Sequence, residues 1–330
     1  MDLDQPLLSI IIPVKNEERI LDECLKRIRA LDYPPELIEV IIADGLSSDR
    51  SREIAEEHGA KVVRNVRQTV VAGRNRGFDV ARGEFVAFTD ADCIVSPDWL
   101  KTGLNAFRLD SAIAGVGGVT RFPEKATPFQ AAVNTLFLLA GFCGATAHVQ
   151  SAVATEYVDD IPGCNAMYRR TALAEVMPID ESLLTAEDVW MNWLLRTRGY
   201  KHVLAEHMLV CHHRRNSPRR FFRQMYRFAV GRLQVGKRAG ALLRPVHIAA
   251  AAGFPLVLMA AAGLLLAGYG AILTAGLMVG FAGAAAIALP RSRSFGSAAL
   301  FPVVVSIFLA GWSLGFLREL VFPLRSADGR

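Results

Sequence analysis

Glu84-Phe85-Val86-Ala87-Phe88-Thr89-Asp90-Ala91-Asp92 is a short apolar run, set behind Gly83, that ends in two carboxylates one residue apart. Its length and composition are those of a buried strand, which puts Asp90 and Asp92 at the C-terminal tip, where open α/β sheets bind ligands. Two hard oxygen ligands on a rigid strand end suit a divalent ion that itself carries phosphates. Mg²⁺ usually takes one or two protein carboxylates and completes its shell with water and phosphate oxygens. The bland alternative is a solvated Asp-rich turn, and an isolated Asp-x-Asp is too common to choose between the two.

The neighbouring segments supply the context. Residues 7–14 (LLSIIIPV) form a β-branched run of the kind buried on both faces, followed by apolar residues at helical spacing from Ile20 to Leu31. Pro34-Pro35 ends that helix, and residues 37–43 predict a second strand that stops at Asp44. A third strand over 61–64, a helix over 70–81 and the strand at 84–89 complete a strand-helix alternation, which predicts an α/β, doubly wound, mostly parallel sheet. In such a sheet the strand ends align, so Pro13, Asn16 and Glu17 after the first strand, Asp44 after the second, and Asp90 and Asp92 converge on one edge. Asn16, Glu17 and Asp44 are each equally readable as helix caps. Ala72-Gly73-Arg74-Asn75-Arg76-Gly77 offers close-approach glycines and cations suited to a pyrophosphate, or simply a helix start.

Charge and hydropathy divide the 330 residues unevenly. Between His212 and Arg244 there are ten Lys/Arg and no Asp/Glu, which leaves 27 Lys/Arg against 32 Asp/Glu elsewhere. The 44 residues 246–289 carry no Asp, Glu, Lys or Arg, about 66 Å of helix against a ~30 Å hydrocarbon core, and so predict two spans. Ser294–Leu317 is uncharged too and predicts a third. The expected division is therefore residues 1–215 for a catalytic domain, 216–244 for a basic amphipathic interfacial helix, and 245–330 for transmembrane helices at about 246–267, 269–289 and 295–317. A basic block beside lipid-bound helices implies a cytoplasmic catalytic domain and argues against nucleic acid as partner. Three full crossings, however, would leave Arg318, Arg325 and Arg330 outside, against the same rule, which leaves two readings, a re-entrant third span or a wrong count. Residues 1–6 are acidic and the first apolar run is only strand length, so no signal peptide is expected. The five cysteines show no Cys-x-x-Cys spacing and are expected to be reduced, packed thiols, with neither a zinc site nor a disulfide framework indicated.

Taken in order, PVKNEE (13–18), IIADGLSSD (41–49), AGRNRG (72–77) and FTDAD (88–92) resemble the inverting family 2 glycosyltransferases of the GT-A fold, and the resemblance runs from residue 7 to about 240. It implies a nucleotide-sugar donor, with a UDP-sugar foremost, bound by Pro13, Asn16, Glu17, Asp44, Arg74, Asn75 and Asp90, and Mg²⁺ or Mn²⁺ held by Asp92 and Asp90. Pro162–Tyr168 resembles the acceptor-side strand, and Glu187-Asp188 the Glu-Asp motif that opens a helix. Asp188, with Glu187 beside it, is then the catalytic general base. Gln224, Arg227 and Phe228 match a Gln-x-x-Arg-Trp motif that meets the leaving diphosphate, with Phe228 departing from the Trp of processive synthases. That departure and the few spans imply transfer of a single sugar.

The apolar stretch 131–147 is expected to be an interfacial or buried helix, because a span there would put the two halves of the site on opposite sides of a membrane. The implied acceptor is a hydroxyl of a lipid-linked saccharide, and the implied location is an inner or plasma membrane, multi-pass. Within the family the chain looks most like glucosyltransferases of succinoglycan-type exopolysaccharide assembly. The competing readings are a polyprenyl-phosphate acceptor, a catalytically inactive membrane-tethered nucleotide-binding scaffold, and a nucleotidyltransferase.

Overall fold

A computed structural model of the chain describes residues 5–123, 125–141, 155–213, 216–292 and 294–323. They form two compact units. The first holds every strand described, and the second is helical.

The first unit starts as the hydrophobic runs predict: β1 (Leu8–Val14), α1 (Glu18–Arg29), β2 (Ile38–Asp44), α2 (Ser51–Glu57), β3 (Lys61–Arg64), α3 (Val70–Val80) and β4 (Phe85–Thr89). Strands β3, β2, β1 and β4 lie side by side and parallel. Alternation along β1 sends its two sets of side chains to opposite layers. Leu8, Ile10, Ile12 and Val14 join the core with Leu21, Cys24, Leu25 and Ile28 of α1. On the other face Ile11 and Pro13 meet α3, and its glycines exist for that contact. A Cβ on Gly77 would lie 2.3 Å from Ile11 Cγ2, and one on Gly73 would lie 3.0 Å from Pro13 Cβ. The close approach that the sequence suggested for a pyrophosphate is an approach of helix to strand.

Beyond β4 the sheet is mixed, which the strand-helix alternation did not foretell. It continues through β5 (Cys93–Val95), α4 (Trp99–Ala106), β6 (Ile113–Arg121), β7 (Glu156–Val158), β8 (Asn165–Arg169), α6 (Arg170–Ala174), α7 (Glu187–Thr197) and β9 (Lys201–His212). β8 runs antiparallel to both β4 and β6, while β9 is parallel to β6 and antiparallel to β5 and β7. The β6–β9 register slips between Gly118 and Val119. Only glycine fits there, since a Cβ on Gly118 would lie 1.8 Å from the Met208 carbonyl oxygen. Asn165 closes the irregularity: its amide donates to the carbonyls of Val119 (3.2 Å) and Met208 (3.0 Å) and its oxygen accepts from Trp99 Nε1 (2.7 Å). The slip carries the end of β9 alongside β5, so that His212 pairs with Cys93.

The second unit gathers α5 (Pro128–Gly141) with α8 (Pro218–Arg238), α9 (Pro245–Leu266), α10 (Gly270–Ala288) and α11 (Phe295–Val321). The helix at Pro128, expected within the catalytic domain, thus groups with the C-terminal helices. The rest of the predicted 131–147 stretch lies outside the described residues. Ala132, Val133 and Phe137 of α5, Phe221 and Met225 of α8 and Val304 of α11 share one apolar cluster. Helices α8 and α11 advance in the same direction, with Gly311 against Phe222 and Met225, and Gly315 against the Tyr226 backbone. Farther along, the buried Glu319 accepts from Lys237 Nζ at 3.0 Å. Among the described residues, three helices are long and apolar enough to cross a membrane: α9, the α10 segment to Arg291, and α11.

His202 in β9 is 1% exposed and neither ring nitrogen has a hydrogen-bond partner. Burial, followed by the Arg196 charge, pulls its pKa from 6.5 to about 4. The folded protein therefore keeps it neutral while the unfolded chain protonates near 6.5, so stability from this group is present above that pH and lost as pH falls towards 4. We expect His202→Phe to flatten the fall in thermal unfolding temperature of the detergent-solubilised protein between pH 7 and 5, by on the order of 2 kcal/mol at pH 5.

Candidate active site

The site assembles within the first unit at the C-terminal edge of β1, β2 and β4. Register puts Val14 beside Asp44, and β4 pairs with the other side of β1. Asp44 and the β4 tip are thus two strands, roughly 10 Å, apart along one edge. Loops bind that edge together. Asp44 is 6% exposed and its carboxylate accepts from the Ser47 amide at 3.1 Å. Asn16 Oδ1 accepts from the Ser48 amide (2.8 Å), its own amide donates to Ser47 Oγ (3.0 Å), and the Glu17 amide donates to Ser51 Oγ (2.8 Å). Lys15 bonds to Gln68 across the same edge.

Among the described residues, four that are not glycine have positive φ: Asn16 (55°), Leu46 (58°), Gln68 (58°) and Ala186 (65°). Each sits in a loop that borders this edge or immediately before the Glu-Asp pair. Left-handed backbone at such residues persists only where surrounding contacts impose it, and it clusters at functional sites. The hydrophobic pattern that reveals strands and helices says nothing about φ, so this was invisible in the sequence.

Arg74 and Asn75, expected to face a pyrophosphate, are instead each 2% exposed and engaged inside the protein. Asn75 is fully occupied by the 179–181 segment: its Oδ1 accepts from the Ile179 amide (2.9 Å) and its Nδ2 donates to the Ile179 carbonyl (2.8 Å) and to Glu181 (3.2 Å). Arg74 crosses beneath the site. Its Nη1 pairs with Glu187 Oε1 at 2.8 Å, and its Nη2 donates to the Gly163 carbonyl at 2.8 Å and stands 3.8 Å from Asp90 Oδ1. Its guanidinium also lies over the Phe88 ring, 5.1 Å from the centroid. Gly163 must be glycine, because a Cβ there would lie 2.5 Å from Arg74 Nη1. Burial weakens the Arg74 charge, but Glu187, Asp90 and Asp188 outweigh it and raise its pKa.

The same Gly163 peptide holds Asp188. Its amide donates to Asp188 Oδ2 at 3.0 Å, while Asp188 Oδ1 accepts from the Val189 amide at 2.8 Å. Glu187 and Asp188 open α7, where the helix dipole favours anions. Glu187 is 7% exposed and Asp188 is half-buried, so of the two Asp188 is the more accessible.

At the tip of β4, Asp90, Asp92 and Cys93 each offer a ligand atom within 4.8 Å of the others, as do Cys93, Cys164 and His212. His212 Nε2 is 3.4 Å from Asp92 Oδ1. Burial, then Cys164, pushes the Asp90 carboxyl up to about 7 despite Arg74, and Asp92 adds to the rise. Burial alone would lower His212, but Asp92 and Cys164 raise it to about 10. Two carboxylates this close are a concentration of negative charge that a divalent cation would neutralise. Asp90 and Asp92 are the hard oxygen donors that Mg²⁺ or Mn²⁺ would take, while Cys93, Cys164 and His212 form a second cluster of softer donors that shares Cys93 with the first. His212, Cys93 and Cys164 were missed from sequence because they lie on β9, β5 and the turn before β8, with no short spacing to mark them. Gln224, Arg227 and Phe228 lie on α8 in the second unit, Arg227 and Phe228 exposed and Gln224 half-buried.

Residues 9–177, just over half the chain, match the Glycosyl transferase family 2 domain, and the protein belongs to that family. Among characterised relatives, glycosyltransferase AglE of Haloferax volcanii is 25% identical over 238 residues, covering 70% of this chain and 73% of that protein. A Methanococcus voltae enzyme named dolichyl N-acetyl-alpha-D-glucosaminyl phosphate 3-beta-D-2,3-diacetamido-2,3-dideoxy-beta-D-glucuronosyltransferase is 24% identical over 239 residues, 66% of this chain and 70% of that protein. In fold, the chain is similar to mannosyltransferase PcManGT of Pyrobaculum calidifontis, solved with GDP-Man and Mn²⁺, with TM-score 0.67, 18% identity, and coverage of 96% of this chain and 87% of that one.

Arg74→Met should remove the buried cation that faces Glu187 and Asp90 and destabilise the protein by about 3–5 kcal/mol. Adding Glu187→Gln should restore part of the loss, so denaturant or thermal unfolding of the two single variants and the double variant is expected to be strongly non-additive.

Proposed function

We propose that this family 2 glycosyltransferase is a membrane-anchored, inverting, non-processive enzyme that moves one sugar from a nucleotide-sugar donor to a hydroxyl of a lipid-linked saccharide. UDP-sugars are the first donors to test. The reading is supported above all by the Gly163 peptide and the Arg74 guanidinium, which tie Asp188, Glu187 and Asp90 into one rigid assembly. A general base must be held in place relative to the donor, and here a peptide bond and a buried cation join the two.

In the proposed step the acceptor hydroxyl oxygen bonds to the anomeric carbon as the bond from that carbon to the diphosphate breaks. Asp188 takes the hydroxyl proton and the diphosphate leaves with the bonding electron pair. General base assistance of this kind is worth ~10²- to 10⁴-fold. A divalent ion held by Asp90 and Asp92, with His212 alongside, would supply positive charge for the departing diphosphate. The roles of Asn16, Glu17 and Asp44 in holding the nucleoside, and of Gln224, Arg227 and Phe228 towards the diphosphate, rest on the motifs that carry the resemblance.

The M. voltae relative's name includes a dolichyl phosphate-linked acceptor, and together with the apolar helices this favours a lipid-linked acceptor. A hydroxyl acceptor needs a base whereas a phosphate acceptor is already anionic, which favours the saccharide hydroxyl. The cation-rich stretch before α9 favours a cytoplasmic catalytic domain.

Membranes containing the protein, incubated with a panel of labelled nucleotide sugars, should pass label to the extractable lipid fraction for one donor. No lipid label with any donor would overturn the acceptor assignment. Asp188→Asn should bind donor as the wild type does while losing at least ~10²-fold in transfer, and normal turnover would sink the base assignment. Asp92→Ala should lose the metal-dependent part of donor binding, read by calorimetry with and without Mn²⁺.

A further inference from the structure

The three apolar helices differ in how the protein treats them. Only 6% of an 18-residue apolar stretch of α9, and 6% of the matching stretch of α10, is buried inside the protein, against 44% in α11. Helices α9 and α10 are joined by a tight turn at Gly268 (φ 80°), which returns the chain on itself, so the start of α9 and the end of α10 form the two feet of one hairpin.

Helix α11 touches both feet. Near its beginning, Ala298 and Phe301 pack with Ala288 and Ala284 at the end of α10. Farther on, Trp312 Nε1 donates to the carbonyl of His247 at 3.0 Å, the Trp312 and His247 rings stand 5.8 Å apart, and Ser313 Oγ reaches the Ala250 carbonyl at 3.3 Å. His247 is in the first turn of α9. A third span rising beside the hairpin would carry residue 312, ~26 Å along the helix, close to the far end of a ~30 Å hydrocarbon core. Its neighbours would then be residues near the 266–270 turn, not residue 247. Between Leu309, 3.7 Å from a Cβ built on Gly253, and Ser313 the contacts move towards the start of α9, opposite to the sense of a third crossing.

We infer that α11 does not cross the bilayer: it lies along the membrane surface across the feet of a two-span hairpin, with its outer face against lipid and both ends on the side that carries α8. The ~21 Å from Ala298 to Trp312 bridges one foot to the other. A solitary surface helix needs a polar face for water. In α11 that role falls to the protein, because Gly311 and Gly315 seat it on α8 and Val304 on α5. What remains outward is apolar, including Val303, Leu314, Leu317, Leu320 and Val321, each 40–60% exposed. The same placement keeps Arg318 on the side of the α8 arginines. It thereby removes the conflict with the positive-inside rule that three crossings create.

The test reads topology, so it stands or falls apart from the transferase reading. The full chain, expressed in a bacterial inner membrane, would carry at either end a fluorescent protein that matures only in the cytoplasm or a phosphatase active only outside it. Both termini are expected to report the cytoplasm. Tyr269→Cys is expected to gain labelling by a membrane-impermeant maleimide in intact cells, whereas Arg291→Cys gains it only after permeabilisation. A C-terminus opposite the N-terminus overturns the inference. So does Arg291→Cys labelled from outside, or Tyr269→Cys silent in intact cells.

Discussion

A guanidinium buried at 2% exposure needs opposite charge close by, and the way Arg74 meets that need, through Glu187 and Asp90, organises the first unit around it. Its partners come from the tip of β4, from the turn before β8 and from the start of α7, three places brought together only by the sheet. Because Gly163 receives Arg74 on its carbonyl and gives its amide to Asp188, a displacement of the cation would be felt at the proposed base. The cost of separating Glu187 from the cation it faces at 2.8 Å makes the arrangement a rigid one. That rigidity is what a transfer reaction needs if acceptor and donor are to meet at one distance.

The second unit follows a different logic. Helices α9 and α10 bury almost nothing inside the protein, so their stability as helices depends on a solvent in which every backbone group is satisfied along the segment and apolar side chains are welcome. Helix α11 is nearly as apolar in composition, yet two glycines and the ion pair of the buried Glu319 with Lys237 dock it on α8. Similar composition thus leads to different placements, because a glycine face allows helix backbones to approach where a larger side chain would hold them apart.

The parallel half of the sheet was legible in sequence because β1, β2 and β4 are largely apolar runs closed by polar residues, and α1 has a regular apolar stripe. Asp44, Asp90 and Asp92 were legible for the same reason: they end strands that a parallel sheet must align. The mixed half was not. β5 and β7 have three residues each, too short for periodicity to register, and the β6–β9 slip at Gly118 depends on the Met208 carbonyl, ninety residues later in the chain. Arg74 and Asn75 were read as ligand-facing because a Gly-rich, cationic stretch at a helix start suits phosphate equally well; their burial follows from Gly73 and Gly77 pressing α3 onto β1.

By itself, the sequence determined the order of the first strands and helices, the line of carboxylates at one edge, the Glu-Asp pair opening a helix, and the apolar character of the C-terminal third. These are local properties, written in period, composition and chain order. Only the tertiary structure decided that Arg74 faces inward, that His212, Cys93 and Cys164 gather beside Asp92, that four residues at the site carry left-handed backbone, and that α11 meets both feet of the hairpin. Each of these depends on which distant segment supplies the missing partner for a charge, a carbonyl or an apolar face, and that partner is set by packing rather than by position in the chain.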